Sequence, residues 1–266
     1  MVEKLSKYLG IKAKEVDDEC PIHHVKLVQM VNGPTSLKPF CLKCQAEANQ
    51  QQLKQMQQSV IDDSYTGYLK RFSLVDRQVA YNYTFDNFKH PSDTKEAQLW
   101  QTARHIAGEY YFDKDKKFNS LLFGNAGSGK THLAMSMLNA VNDKAEPKQR
   151  CVFISMTKLM SEMKTWFSEK NNRWSPTFVN KVIKKADLVV IDDLGAETAN
   201  TSASNFVQDT IFEIYESNQR IITTSNLSLP ELESKYHGRL ISRILEGSSG
   251  HLIDFGNVSD KRKQAI

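Results

Sequence analysis

Residues Gly124, Asn125, Ala126, Gly127, Ser128, Gly129, Lys130 and Thr131 spell an uninterrupted G-x4-G-K-T. Glycines at this spacing let a backbone wrap with its N–H groups turned inward, which is the chemistry of a phosphate-binding loop. Lys130 has the reach and charge to meet β- and γ-phosphates, and the Thr131 hydroxyl suits Mg2+. Such a loop needs a strand before it and a helix after it. The apolar run Ser120 to Phe123 supplies the first, and Leu133, Ala134, Met137, Leu138 and Val141 form one helical stripe behind it. A helix starting near Lys130 adds its positive end to the phosphate site.

A second pair of charged groups stands at Asp192 and Asp193, closing the apolar run Leu188-Val189-Val190-Ile191. The pattern resembles a Walker B strand, with Asp192 placed to hold the Mg2+ of a nucleotide and Asp193 to polarise an attacking water. Two more apolar runs, Cys151 to Ser155 and Arg220 to Thr224, alternate with helical segments, and this order predicts a parallel sheet in an α/β fold. Asn226 follows the second run. At the carboxyl end of a strand beside the nucleotide strands it either hydrogen-bonds the γ-phosphate or water, as a sensor, or caps the turn before Leu227-Ser228-Leu229-Pro230.

A third chemistry lies upstream. Cys20 and His23, then Cys41 and Cys44, give C-x2-H-x17-C-x2-C. Two ligands three positions apart share one ion from a tight turn, and two such pairs complete the tetrahedron of structural Zn2+. His24 is the alternative to His23, though the x2 spacing favours the latter. Gly33, Pro34 and Pro39 suit a short hairpin that brings the pairs together. A closed Cys3His site leaves no open position, so it is expected to be scaffold. The fourth cysteine, Cys151, sits alone in an apolar run and reads as a buried thiol.

Composition bounds the rest. With 266 residues, 40% hydrophobic and 25% charged, the chain has room for one ordinary domain and a smaller one, and it is not a collagenous or mainly disordered chain. No apolar run reaches membrane-spanning length, and the charged start lacks a signal-peptide core, so no membrane association and a cytoplasmic location are expected. The difference of 35 basic and 31 acidic residues, 35 − 31 = +4, permits nucleic-acid contact without arguing for it. The expected division is a zinc-binding module over residues 1–60, a helical linker over 61–82, and a nucleotide-binding domain over 83–266. A Gln- and Ala-rich helix leaves the zinc site from residue 45.

Taken together, GNAGSGKT, LVVIDDLG, ITTSN and GRLISRILEG resemble the AAA+ ATPases. More narrowly they resemble the bacterial and phage helicase loaders of the DnaC/DnaI type and their relative, the IstB transposition helper. The similarity covers roughly residues 83–266 and includes the segment YTFDNF before the ATPase module. Asp193 departs from the Glu that most AAA+ proteins carry. The resemblance implies a five-stranded parallel sheet completed by His251 to Phe255, with a reduced lid, and ATP with Mg2+ as the ligand. An N-terminal Cys-rich module on this ATPase is also similar to loaders of the DnaI kind.

By that resemblance the N-terminal module grips a hexameric replicative helicase, and the ATPase domain binds nucleotide and single-stranded DNA. Assembly into a nucleotide-dependent homo-oligomer is implied too, with Arg239 or Arg243 in the segment that gives an arginine finger to the next subunit; Arg243 is the choice. Arg262 is either a second sensor or part of a solvated basic end with Lys261 and Lys263. Residues 156–186 carry Lys158, Lys164, Lys170, Arg173, Lys181, Lys184 and Lys185 among Trp166, Phe167 and Trp174. That mixture fits sequence-independent contact with single-stranded DNA, or else an amphipathic surface whose aromatics are core. The expected function is ATP-dependent helicase loading during replication initiation. The alternatives are an IstB-like transposition helper, and a nucleotide-binding adaptor that inhibits a host replication protein without turnover.

Overall fold

The computed structural model describes residues 13–31, 38–197 and 204–260, and they fall into two compact units that divide between Ile61 and Asp62. Gly33, Pro34, Lys261, Arg262 and Lys263 lie outside the described residues.

The first unit pairs β1 (Ala13–Glu19) with β2 (Lys26–Met30) in an antiparallel hairpin, and Val28 bridges to Phe40. Its described interior is slight, since Cys20, Val28 and Cys41 are the buried apolar residues before the unit boundary. So few groups remove little surface from water, and a unit of this size ordinarily needs a disulfide or a metal to hold its shape. Helix α1 (Leu42–Phe72) begins in this unit and ends in the second. Over Gln45 to Val60 it is exposed on every side.

In the second unit a 3-10 turn (Gln78–Asn82) precedes α2 (Lys95–Phe112), and a five-stranded sheet follows. The strands are β3 (Ser120–Phe123), β4 (Cys151–Ser155), β5 (Leu188–Leu194), β6 (Ile221–Ser225) and β7 (Leu252–Asp254). They are all parallel, in the order β4-β5-β6-β3-β7. The connecting helices are α3 (Lys130–Lys144), α4 (Met156–Glu169), α5 (Pro176–Lys185), α6 (Asn205–Ser217), α7 (Leu229–Lys235) and α8 (Gly238–Ile244).

The strands read as continuous apolar runs because both faces of the sheet are covered. Val152, Ile154, Val189, Ile191 and Ile221 pack with residues of α4, α5, α6 and α8. Their neighbours Cys151, Phe153, Leu188, Val190 and Ile222 pack on the other face with α2 and α3. Cys151 is buried there, and the lack of solvation pushes its thiol pKa well up, as befits an inert core group.

Three boundaries differ from the sequence expectation. The run expected as Arg220 to Thr224 is a strand over Ile221–Ser225, and His251 to Phe255 narrows to Leu252–Asp254. Arg220 is instead a buried plug. Its guanidinium donates to the carbonyls of Asp187 (3.0 Å), Asp113 (2.5 Å), Lys116 (3.1 Å) and Tyr110 (2.8 Å), and to Gln149 Oε1 (3.0 Å). Finally, β5 runs past Asp193 to Leu194 with a register shift between Ile191 and Leu194. Ile191 opposes Thr223 while Leu194 opposes Ser225, so β5 carries one extra residue there.

No helix among the described residues is long and apolar enough to cross a membrane.

Candidate functional site

Sheet order builds the nucleotide cleft. Because β6 lies between β3 and β5, the loop after β3, the acidic end of β5 and the tip of β6 converge at the carboxyl ends of three adjacent strands. Open parallel sheets bind ligands in this place. A cleft of about 640 Å³ opens there, lined by Gly127, Gly129, Lys130, Thr131, Asp192, Asp193 and Asn226.

The phosphate loop needs glycine at its bends. Gly124, Gly127 and Gly129 have φ of 112°, 71° and 102°, in the region where a Cβ collides with the backbone. Space is closed as well: a Cβ on Gly124 would come within 2.6 Å of the Gly256 nitrogen, and one on Gly129 within 2.7 Å of the Phe88 ring. Asn125 Nδ2 donates to the carbonyls of Gly256 (2.7 Å) and Val258 (3.1 Å), pinning the loop to the chain beyond β7. Ser128 closes the loop on itself through Asn125 O at 2.7 Å. Gly129 caps α3, so the first N–H groups of that helix face the loop.

Lys130 is buried and its Nζ donates to Gly124 O (2.8 Å), Asn125 O (2.7 Å) and Asn226 Oδ1 (2.8 Å). Asn226 donates in turn to Asp193 Oδ1 at 3.2 Å. These bonds place Asn226 beside the lysine and the second carboxylate, where a sensor would act.

The extra residue in β5 explains how both carboxylates reach one cleft. Successive strand residues point to opposite faces, so Asp192 and Asp193 in regular pairing would diverge. The bulge re-aims them, with Asp193 at φ 55° and its N–H donating to Thr224 Oγ1 at 2.9 Å. Thr224 Oγ1 donates to Asp192 Oδ1 at 2.6 Å, and Thr131 hydrogen-bonds the same carboxyl. Burial, and then repulsion from Asp193, push the Asp192 pKa up to about 7 against the pull of the two threonines. A cation would relieve that penalty, so Asp192 and Thr131 fit a hard ion such as Mg2+.

Several groups at the cleft lie outside the phosphate-loop and acidic-strand motifs. Tyr83, Asn87, Phe88 and Lys89 line it from the YTFDNF segment and just beyond. His132 stacks on Tyr83 with centroids 4.3 Å apart, and its Nε2 lies 2.8 Å from Asn87 Oδ1. Asn139, lower on the same helix, donates to the carbonyls of Tyr81 (3.1 Å) and Tyr83 (2.8 Å). In the sequence this wall showed only as the YTFDNF segment, with nothing to mark His132 or Asn139. Glu197, which does not line this cleft, accepts from Gly195 N at 2.8 Å and from the Tyr236 hydroxyl, tying the loop after β5 to the end of α7.

Arg243 does not line the cleft. It sits on α8, where Nε meets Glu216 Oε1 at 2.5 Å and Nη1 meets Glu246 Oε2 at 3.0 Å. Arg239 lies over the Phe212 ring, 3.9 Å from its centroid.

The residues expected to contact DNA divide. Trp174 is buried in the core, edge-on to Phe178, which removes it from any stacking surface. Arg173 is engaged by Arg71 O at 2.7 Å, and Lys158 by Val75 O at 3.0 Å. Lys164, Lys181, Lys184 and Lys185 are exposed, as are Phe167 and Lys170, whose ammonium lies 4.8 Å from the Trp166 ring centroid.

In the first unit the four residues of the Cys/His pattern meet. Their ligand atoms all lie within 4.8 Å of one another. His23 Nδ1 is 3.2 Å from Cys44 Sγ, 3.7 Å from Cys41 Sγ and 3.8 Å from Cys20 Sγ, and the Cys20 and Cys44 sulfurs are 3.6 Å apart. A tetrahedral zinc with Zn–S of about 2.3 Å separates its corners by roughly 3.8 Å, so the donor set and spacing fit this ion. His24, the alternative ligand, has a φ of 50° and is not in the cluster. Backbone N–H groups of His23 and Ile22 lower the Cys20 pKa to about 6, while the neighbouring Cys20 sulfur raises that of Cys44 to about 11. Crowded thiols that resist joint ionisation are what a bound cation relieves. Glu47 Oε1 lies 3.0 Å from His23 Nε2, leaving Nδ1 turned to the sulfurs.

The Bacterial DnaA ATPase domain family matches residues 79–250, well over half of the chain. A curated relative, the chromosomal replication initiator protein DnaA of Thermosipho melanesiensis, is 32% identical over 126 residues, covering 47% of this chain and 28% of its own. The chain spans between 28% and 39% of the length of the first such relatives. Among solved structures, the DnaC helicase loader superposes with a TM-score of 0.53 at 23% identity, covering 67% of this chain and 99% of its own. DnaI superposes with a TM-score of 0.54 at 20% identity, covering 68% of this chain and 95% of its own. These two share the fold. The phosphate loop, the bulged acidic strand and the 5-stranded parallel sheet on which they stand agree with the sequence match, and the chain belongs to the bacterial DnaA ATPase domain family and carries an AAA+ ATPase domain.

Proposed function

We propose that this protein is an ATP-dependent helicase loader, which binds a hexameric replicative helicase and single-stranded DNA during replication initiation. The observation that carries the reading is the joining, on one chain, of an ATPase domain with the fold of DnaC and DnaI to a unit built around a Cys3His cluster. A closed metal site on a small unit gives a rigid surface without chemistry, which suits a grip on a partner.

In this reading the loop N–H groups and Lys130 hold the triphosphate, and Asp192 and Thr131 hold Mg2+, which supplies charge neutralisation at the phosphates. Asp193 orients the attacking water, and Asn226, tethered to both Lys130 and Asp193, reports the state of the γ-phosphate. Arg243 acts on the neighbouring subunit's nucleotide, so hydrolysis follows assembly. Aspartate in place of glutamate at position 193 is one methylene shorter, and the bulge with its left-handed backbone brings that shorter carboxylate to the cleft. This supports turnover over a non-hydrolysing adaptor.

The test is native mass spectrometry of the full chain with a hexameric replicative helicase, with and without a non-hydrolysable ATP analogue, alongside ATPase rates. A complex that forms with the wild type and is lost in Cys41→Ser supports loading, and Arg243→Ala should bind nucleotide normally yet lose assembly-dependent hydrolysis. A second reading, an initiator that assembles on duplex origin DNA, draws on the DnaA family match. Assembly with ATP on duplex DNA, and no complex with any helicase, would replace the first reading with the second.

A further inference from the structure

Helix α1 carries a feature that the nucleotide chemistry does not use. Every residue from Gln45 to Val60 is exposed, and the segment lies within the first unit. Leu53, Met56 and Val60 stand 59%, 59% and 69% exposed, at spacings of three and four that put them on one face. Ala46 and Asn49 continue that face towards the Cys3His cluster. Ala46, Asn49, Leu53, Met56 and Val60 thus fill successive a and d positions of a heptad repeat.

Water serves such a helix poorly. Glu47 and Lys54 are the only charged residues from Gln45 to Val60, and at seven positions apart they form no supporting i,i+4 ion pair. A solvated stretch of this length is marginal unless its apolar stripe is covered.

The stripe's chemistry selects what covers it. The flanking e and g positions hold Gln45, Gln50, Gln52, Gln57 and Ser59, all uncharged, while Glu47 and Lys54 are turned away from the stripe. A nucleic acid or an anionic lipid surface meets no cation along this face, and a charged partner helix meets no counter-charge. A second copy of the same helix brings no repulsion, and its amide side chains hydrogen-bond with their own kind. Asn49 makes the same selection, because an apolar partner at this core position would leave its amide unpaired on burial. Its Oδ1 accepts from Gln45 Nε2 at 3.0 Å, and in a parallel pair its Nδ2 meets the Oδ1 of the same residue in the second copy.

We propose that α1 pairs with α1 of a second copy as a short two-stranded coiled coil, which makes the protein a dimer in the absence of nucleotide. Assembly through the ATPase domains, in the reading above, requires nucleotide, so the two contacts are separable. Two heptads with three large apolar residues per helix bury little surface, and the dissociation constant is in the micromolar range or weaker.

The experiment is sedimentation velocity on the full chain in zinc-containing buffer without nucleotide, over a concentration series reaching hundreds of micromolar. Expected is a monomer–dimer equilibrium. The double variant Leu53→Ser/Met56→Ser should raise its dissociation constant at least about tenfold and leave the melting transition of the ATPase unit unchanged. Gln52→Glu/Gln57→Glu and Gln52→Lys/Gln57→Lys each set like charges across the seam, so each alone should stay monomeric where the wild type pairs. An equimolar mixture of the two should form the dimer again. These glutamines are exposed, so the charge variants decide even if the serine variant is unstable. The proposal is overturned if the wild type is monomeric throughout the series, if Leu53→Ser/Met56→Ser dimerises as the wild type does, or if the mixture associates no better than its components.

Discussion

Lys130 and Asn226 stand 96 residues apart in the chain, yet the lysine ammonium donates to the asparagine Oδ1 at 2.8 Å. The contact follows from sheet order, since β3 and β6 are hydrogen-bonded neighbours with Phe123 opposite Ser225. One residue past each strand end, loop and sensor tip are side by side. The same asparagine reaches Asp193, so a single amide touches both the phosphate-loop lysine and the second carboxylate of β5.

Asn226→Ala should therefore slow ATP hydrolysis while leaving nucleotide binding within a few-fold of wild type. Loss of hydrogen bonds to charged groups, worth roughly 1.5–3 kcal/mol, corresponds to a drop in kcat of about 10- to 100-fold. Steady-state ATPase kinetics beside fluorescent-nucleotide titration separate the two effects. Equal losses in binding and turnover would return Asn226 to the role of a turn cap.

Burial makes Asp192 costly to ionise, a cost that the Mg2+ of the proposed reading would offset. An acid whose pKa rises on folding is penalised wherever it is ionised, so the protein loses stability as pH climbs from 3.8 towards about 7, and the full penalty applies above that. Without Mg2+, Asp192→Asn should raise the unfolding free energy at pH 8 by about 4 kcal/mol at most, and Tm with it, and the gain should shrink towards pH 4. Turnover should be lost at every pH. Thermal melts of both proteins across this range decide it; an unchanged or lowered Tm at pH 8 would show that the carboxylate is not strained.

Gly129→Ala meets both a left-handed backbone and the Phe88 ring. The backbone alone costs about 1–2 kcal/mol, and the displaced ring adds to it. Denaturant unfolding should show that loss, and nucleotide affinity should fall with it. Trimming the ring in a Gly129→Ala/Phe88→Leu double variant should restore part of the binding if the clash contributes.

If the Cys3His cluster holds zinc as proposed, chelation should unfold the first unit alone. With zinc removed at neutral pH, circular dichroism and proteolysis should report loss of structure within residues 13–61 while the ATPase unit keeps its melting transition. Glu47→Gln, which weakens the partner of His23 Nε2, should reduce zinc affinity roughly 10- to 100-fold in a chelator competition, as outer-shell partners of metal-bound histidines do. Retention of full affinity would mean that Glu47 only decorates the surface.

The sheet was legible from sequence wherever a strand is covered on both faces, because such strands read as unbroken apolar runs, as in Cys151 to Ser155 and Leu188 to Ile191. The phosphate loop was legible because its glycines answer a backbone demand that other residues do not meet. What hid was geometry carried by ordinary residues. Nothing in the spelling of Leu188 to Leu194 announces a bulge, since the extra residue is defined by pairing with β6. Nor do His132 and Asn139 belong to a motif; with Tyr83 of YTFDNF they form one wall because a helical heptad places 132 and 139 on the same side of α3. Trp174 stayed open for the opposite reason, as an aromatic among lysines reads either as a stacking platform or as core until its burial is known.

Arg220 has a further consequence. It ties the foot of β6 to the carbonyls that end α2, to Asp187 just before β5, and to Gln149 just before β4. A guanidinium keeps its charge at any accessible pH, and this one has a fixed set of acceptors that no shifted strand could satisfy. β6 is thus anchored at the end remote from the nucleotide and cannot slide along its neighbours as a piston. Movement of β6 in response to a bound nucleotide is therefore confined to its tip, at Asn226 and the turn into α7.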